Sequence, residues 1–191
     1  MAQKAVEEAM EEKSCLVKYF RQVACSHTIA WFIAGVFASN VLNYETLYVT
    51  DVVSSFMRPV NDPVVALGLS LQILRGLIIG LIMLPLRKVF FEEKHGFLKL
   101  AVILFGFSLI STVGPTWGSF DGYIFTKLPV MYHIMAYPEA IIYCALFVGL
   151  LFVSKKYGHK KIITIVSIVF VVCIVLMSVM GYMSAKGYIT A

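Results

Sequence analysis

The chain has 191 residues, 60% of them hydrophobic, with a mean hydropathy of +0.85 and a formal charge of +5. A soluble domain runs nearer to about 45–50% apolar, and here the excess gathers in long runs, which excludes a soluble fold with a large core. Basic residues fall in short clusters between those runs rather than on one broad face, which excludes a duplex nucleic acid as partner. The expected class is an all-α, polytopic integral membrane protein, with the lipid bilayer as its first partner. Its expected location is the plasma (inner) membrane.

Residues 1–22 read as a cytosolic amphipathic helix. Ala5, Val6, Ala9, Met10, Leu16, Val17 and Phe20 fall on one stripe, with glutamates opposite. An interfacial helix leading into the first span is the expectation, and a docking helix for a partner is the alternative. The segment "EEAMEE" is unlike the basic start of a secretory signal, so cleavage after Ala38 in "VFAS" is not expected.

The remaining residues, 23–191, read as one domain of five spans: 23–42, 64–86, 97–116, 129–153 and 162–183. Each supplies roughly the 20 residues that a hydrocarbon core of about 30 Å requires. Span one carries Ala30, Ala34 and Ala38 at fourfold spacing, and span two carries Gly76 and Gly80. Small residues so spaced let membrane helices approach closely. Packing inside one chain is the expectation for these faces, and homo-oligomerisation is the alternative.

The outer connection 43–62 places Tyr48, Val52 and Phe56 on one helical face, as in a short surface helix. It ends in "NDP", with Asp62 at the N-cap and Pro63 at the first helical position of span two. "VGPTW" closes span three through Gly114 and Pro115, with Trp117 at interfacial depth. Span five has no charge and reads as a peripheral helix facing lipid.

Orientation follows from counting cations. Twelve lysines and arginines lie in residues 1–22, in "RKVFFEEKHGFLK" and in "SKKYGHKK", whereas the opposite side holds only Arg58, Lys127 and Lys186. The basic side stays cytoplasmic, so the N-terminus is expected inside and the C-terminus outside. Cys15, Cys25, Cys144 and Cys173 form no C-x-x-C pair. Cys15 is a weak acylation candidate beside the membrane.

Arg75 is the residue that requires explanation. It lies about 16 Å along span two at helical rise, where a cation costs at least about 2.5–3.5 kcal/mol unless it faces protein, water or an opposite charge. Glu139, about 15 Å into span four, is the expected partner of an intramembrane ion pair. Gln72 shares the face of Arg75, and His133 lies above Glu139 as a further candidate for the polar lining. Asp121, in "WGSFDGYIFTK", is expected in a turn, where it could cap a cavity or meet Arg58.

Pro138 leaves three readings of span four: a continuous helix, a helix starting at Pro138, or a helix broken at mid-depth. H-E-x-x-H, G-x-S-x-G, P-loop and dinucleotide signatures are missing, so no catalytic residue, metal or cofactor is expected. The residues therefore point to an outward-facing polar site for a small polar solute, ion or lipid headgroup. A structural or regulatory subunit held by the Arg75–Glu139 pair is the alternative, and an enzyme is the least expected.

Overall fold

A computed structural model describes the backbone of residues 2–110 and 116–189, and side chains from residue 9 onward within those ranges. Gly114 and Pro115, the expected stop of span three, lie outside the described residues, as do the side chains of Ala5 and Val6. The described chain is helical without strands: α1 (Ala2–Val41), α2 (Tyr44–Leu47), α3 (Asp51–Ser54), α4 (Pro63–Met83), α5 (Arg87–Phe91), α6 (Gly96–Ile110), α7 (Phe120–Phe125), α8 (Val130–Tyr157) and α9 (Lys161–Ala185).

Four stretches are long and apolar enough to cross a membrane: Ala9–Val41, Pro63–Phe91, Val130–Tyr157 and Lys161–Ala185. The second of these includes a short 3₁₀ turn at Leu84–Leu86, where Pro85 interrupts the α-helical ladder. The expected third span, 97–116, falls on α6, which is apolar but shorter than these four. Large apolar side chains stand exposed along α4, α6, α8 and α9. Such extended apolar surface is compatible with a membrane location.

The N-terminal segment is not a separate helix. It is the first half of α1, which runs unbroken for 40 residues. Residues 9–18 are largely exposed, and among the described side chains burial begins at Tyr19. From there α1 is the centre of the bundle. Over its most apolar window 56% is buried, against 17% for each of the other three long stretches. It packs against α4, α8 and α9, with α9 also on α4 and α6 on the far side of α8.

Small residues make that centre possible. Ala30, Ala34 and Ala38 are all buried. Gly76 and Gly80 face α1 of the same chain: a Cβ on Gly76 would stand 2.8 Å from the Ala24 Cα, and one on Gly80 would stand 2.9 Å from the Phe20 ring. The glycine face therefore serves packing within the chain. The Tyr19 hydroxyl donates to the Gly80 carbonyl at 2.9 Å across the same seam. A hydroxyl clasp joins α4 to α9. Ser70 donates to the buried Ser178 hydroxyl, and Ser178 donates to the Ala66 carbonyl, both at 2.6 Å.

The start of α4 follows the "NDP" reading. The Asp62 carboxylate accepts from the Val64 N–H at 2.7 Å and pairs with Arg58 at 3.0 Å. These two donors hold the Asp62 pKa below the usual carboxylate range, the backbone N–H having the larger effect. Helix α8 passes through Pro138 without a break. The proline removes one backbone donor, but ladder bonds on either side maintain the helix, so Glu139 lies in a helix interior and not at a helix start.

The glycine contacts predict opposite outcomes for the same substitution. Gly76→Ala is expected to lower the stability of the detergent-solubilised protein by about 1–3 kcal/mol, because the added methyl meets backbone that cannot turn aside. Gly149→Ala, where nothing lies within 4 Å, should leave stability unchanged or raise it slightly. Thermal unfolding of the two variants in parallel checks this.

Candidate functional site

The bundle forms an open cavity of about 340 Å³ in the half that carries connections 42–62 and 116–129. Its wall draws on α1 (Trp31), α2 (Tyr44), α4 (Arg75), α6 (Ser108) and α8 (Glu139, Tyr143), with Tyr48 and Trp117 from the connections. That volume is at the lower end of small-molecule sites, about 300–1,000 Å³.

Arg75 and Glu139 thus share one cavity, as their matching depths suggested, but the expected ion pair is not formed. The ion pairs among the described residues are Arg58–Asp62 and Lys99–Glu93. Glu139 takes a different partner: the Tyr44 hydroxyl, brought in by the first outer connection, donates to its Oε2. Burial first, and then the adjacent Glu139 carboxylate, push the Tyr44 hydroxyl well above the ordinary tyrosine range. Tyr48 is pushed up to about 12, with burial again the larger cause and Glu139 the next. Both phenols therefore stay protonated near neutral pH, and Tyr44 remains a donor to Glu139.

Tyr44 is placed by local geometry. Asn43 adopts a left-handed conformation (φ 48°), a region that asparagine tolerates. This turns the chain sharply after α1 and starts α2. Tyr44 then stacks on Tyr48, with ring centroids 4.6 Å apart and planes at 21°. Tyr48 in turn meets Trp117 at 6.4 Å. The Trp117 indole N–H donates to the Tyr132 carbonyl of α8. The aromatic residues thus run from one outer connection to the other and end beside Glu139.

Gln72 lies behind the wall, not in it. It is buried, and its amide N–H donates to the Gly68 carbonyl at 2.9 Å. That leaves its Oε1 to accept from His27 Nε2–H at 3.2 Å, while His27 Nδ1 accepts from the Tyr143 hydroxyl at 2.7 Å. One neutral imidazole therefore links α1, α4 and α8, and Tyr143 carries the link to the cavity surface. The flanking hydroxyls of Ser26 and Thr28 are buried and make no hydrogen bond among the described residues.

His133 and Asp121 are not brought to this cavity. His133 is buried, but it holds the second connection in place. Its Nδ1 accepts from the Gly118 N–H at 3.2 Å, and its Nε2 faces the Thr126 hydroxyl at 3.4 Å. Gly118 has φ 83°, which favours glycine, and a Cβ there would stand 2.8 Å from Ala136. The connection therefore turns tightly against α8, and His133 supplies the bond that fastens it. Asp121 lies in the first turn of α7, which Ser119 caps by accepting from the Gly122 N–H at 3.0 Å. Arg58, the alternative partner for Asp121, bonds instead to Asp62, four residues along its own segment.

Sequence reasoning missed His27, Tyr143 and Tyr44. A polar "SHT" triplet inside an apolar run was the available signal for His27. Tyr143 and Tyr44 gave none, because tyrosine is ordinary at membrane depth and in outer loops. Comparison with protein-family models, with curated proteins and with solved structures finds no match to the chain. The functional reading therefore rests on the site.

The histidine link makes a measurable claim. His27→Ala leaves the buried Gln72 Oε1 and the Tyr143 hydroxyl without their partner, and is expected to lower stability by about 1–3 kcal/mol. Ser108→Ala, which removes only a bond from an exposed hydroxyl to the Leu104 carbonyl of its own helix, should stay within about 0.5 kcal/mol of the parent. Unfolding of both variants in the same detergent provides the comparison.

Proposed function

We propose that the chain is a small multi-pass membrane protein whose intramembrane cavity, reached from the outer face, binds or moves a small polar solute, ion or lipid headgroup. The observation that carries this reading is the shared cavity: Arg75 and Glu139 line one space of about 340 Å³, and neither charge is spent on the other. Intramembrane ionisable groups are costly, and they occur where a ligand, an ion or water must be met. The alternative, a subunit whose Arg75–Glu139 pair locks helix register, requires the pair itself.

The topology belongs to the same proposal. Five spans, with α6 and the residues after it forming the third, put the N-terminus and both basic loops in the cytoplasm and the cavity toward the outside. The plasma (inner) membrane is the proposed location. A recess at the basic end, lined in part by Lys18, Arg87 and Lys155, fits the cytoplasmic assignment, because cations there meet the anionic leaflet.

Cysteine labelling tests access and sidedness together. In a background with the four native cysteines replaced by alanine, Ala140→Cys faces the cavity. It is expected to react with a charged, membrane-impermeant thiol reagent added outside sealed right-side-out vesicles. Ala145→Cys, exposed on the same helix but away from the cavity, should remain unlabelled. Labelling of Ala140→Cys only from the cytoplasmic side would reverse the orientation, and no labelling from either side would remove the polar-site reading.

A reporter fused at each terminus tests the span count independently. Five spans predict opposite sides for the two termini, and four predict the same side.

A further inference from the structure

We propose that the cavity takes a zwitterion, a molecule or headgroup with an ammonium close to an anion, its anion on Arg75 and its ammonium between Glu139 and the neighbouring aromatic rings. This rests on the polar-site reading above and narrows it to a substrate class.

The charge arrangement is the first support. A neutral solute would leave the guanidinium of Arg75, which stands exposed at the cavity, and the half-buried carboxylate of Glu139 both without a counter-charge. A simple ion would neutralise one and leave the other. A zwitterion answers both, and it adds no net charge to the interior of the membrane protein.

The surroundings of the two charges supply the polarity. Beside Glu139 stand the stacked Tyr44 and Tyr48 rings, with Trp117 next to Tyr48. Aromatic faces next to a carboxylate favour an ammonium, and quaternary ammonium above all, because the ring quadrupole adds to the opposite charge. Across the cavity, the guanidinium of Arg75 offers donors in a planar fork. That fork matches a carboxylate or a phosphate, and its charge is permanent. The Tyr44 hydroxyl occupies one carboxylate oxygen of Glu139. It leaves further acceptor capacity on the carboxylate for an ammonium.

The same chemistry is found in free solutes such as betaines and amino acids, and in the headgroups of phosphatidylcholine and phosphatidylethanolamine. Both of the chain's tryptophans, Trp31 and Trp117, line the cavity, so intrinsic fluorescence reports on it directly. The test uses the full chain in dodecyl maltoside, titrated with glycine betaine, glycerophosphocholine, choline, acetate and glycerol. The expected result is saturable binding of at least one of the two zwitterions, tighter by about tenfold or more than choline, acetate or glycerol, as one additional charge-assisted contact implies.

Arg75→Gln should reduce that zwitterion to the affinity of choline, and Glu139→Gln should reduce it to that of acetate. Arg75→Lys should recover part of the loss, and a cooperative melt for each variant establishes that it is folded. Choline binding as tightly as the zwitterions would overturn the inference in favour of a cation site. Acetate binding as tightly would overturn it in favour of an anion site. Either outcome leaves the polar-site reading standing. No response to either zwitterion, with Ala140→Cys still labelled from one side, would sink this inference alone; absence of labelling from either side as well would sink both.

Nanodiscs separate the two sources. If the ligand is a headgroup, phosphatidylcholine or phosphatidylethanolamine discs should raise the melting temperature and suppress zwitterion binding relative to phosphatidylglycerol discs. If it is a free solute, the affinity should be the same in all three.

Discussion

The cavity depends on the hydrogen-bonded link through His27. A neutral imidazole on the central helix accepts from Tyr143 and donates to Gln72, so one side chain fixes α4 and α8 relative to α1. The link is short-ranged, and α1 must lie close to α4 for it to form. Gly76, one turn beyond Gln72, provides that approach, since a Cβ there would collide with the Ala24 backbone. Glycine packing and histidine bonding are thus two parts of one constraint, and the positions of Arg75 and Glu139 follow from it. Arg75 lies next to Gly76 on α4, and Glu139 lies one turn before Tyr143 on α8.

Separation of the two charges is the feature that most distinguishes a site from a scaffold. A close buried pair satisfies itself, and its attraction would draw the helices together and fill the space between them. Here Glu139 is engaged by a neutral donor, Tyr44. A phenol can hold a carboxylate in place without cancelling its charge. The arrangement keeps a negative and a positive group on the wall of one cavity, with Arg75 exposed and Glu139 half-buried.

Much of the scaffold was legible in the sequence because bilayer thickness imposes run length. The ends of α4, α8 and α9 fall within a few residues of the apolar runs, and Asp62 caps α4 as its "NDP" spelling implies. Helical rise gave Arg75 and Glu139 similar positions along their helices, and both line one cavity. What occupies the carboxylate was not legible. Tyr44 comes from a connection whose path is set by a left-handed Asn43 and by aromatic stacking, neither of which leaves a periodic pattern. The placement of His133 shows a related limit. Its depth suggested a lining residue, but its ring is turned to Gly118, and only the non-local course of the second connection decides that. The clasp at Ser178 was hidden for a different reason: one serine in an apolar run carries no sign of which neighbour it faces.

The two connections at 42–62 and 116–129 therefore contribute to the cavity wall and are not simple links between helices. One supplies Tyr44 to Glu139. The other is fastened by His133 and carries Trp117 against Tyr48. Neither has a core of its own, since Val53 is the one residue of the first that is buried among α2 and α3. The first is held in part by contacts at the cavity, through Tyr44 and Tyr48, whereas the second is fastened by His133 away from the cavity and reaches it through Trp117. Displacing the Tyr44 hydroxyl from Glu139 would release one end of the Tyr44–Tyr48–Trp117 run, and the other end is tied to α8 through Tyr132. The cavity wall and its rim thus share the side chains of Tyr44, Tyr48 and Trp117.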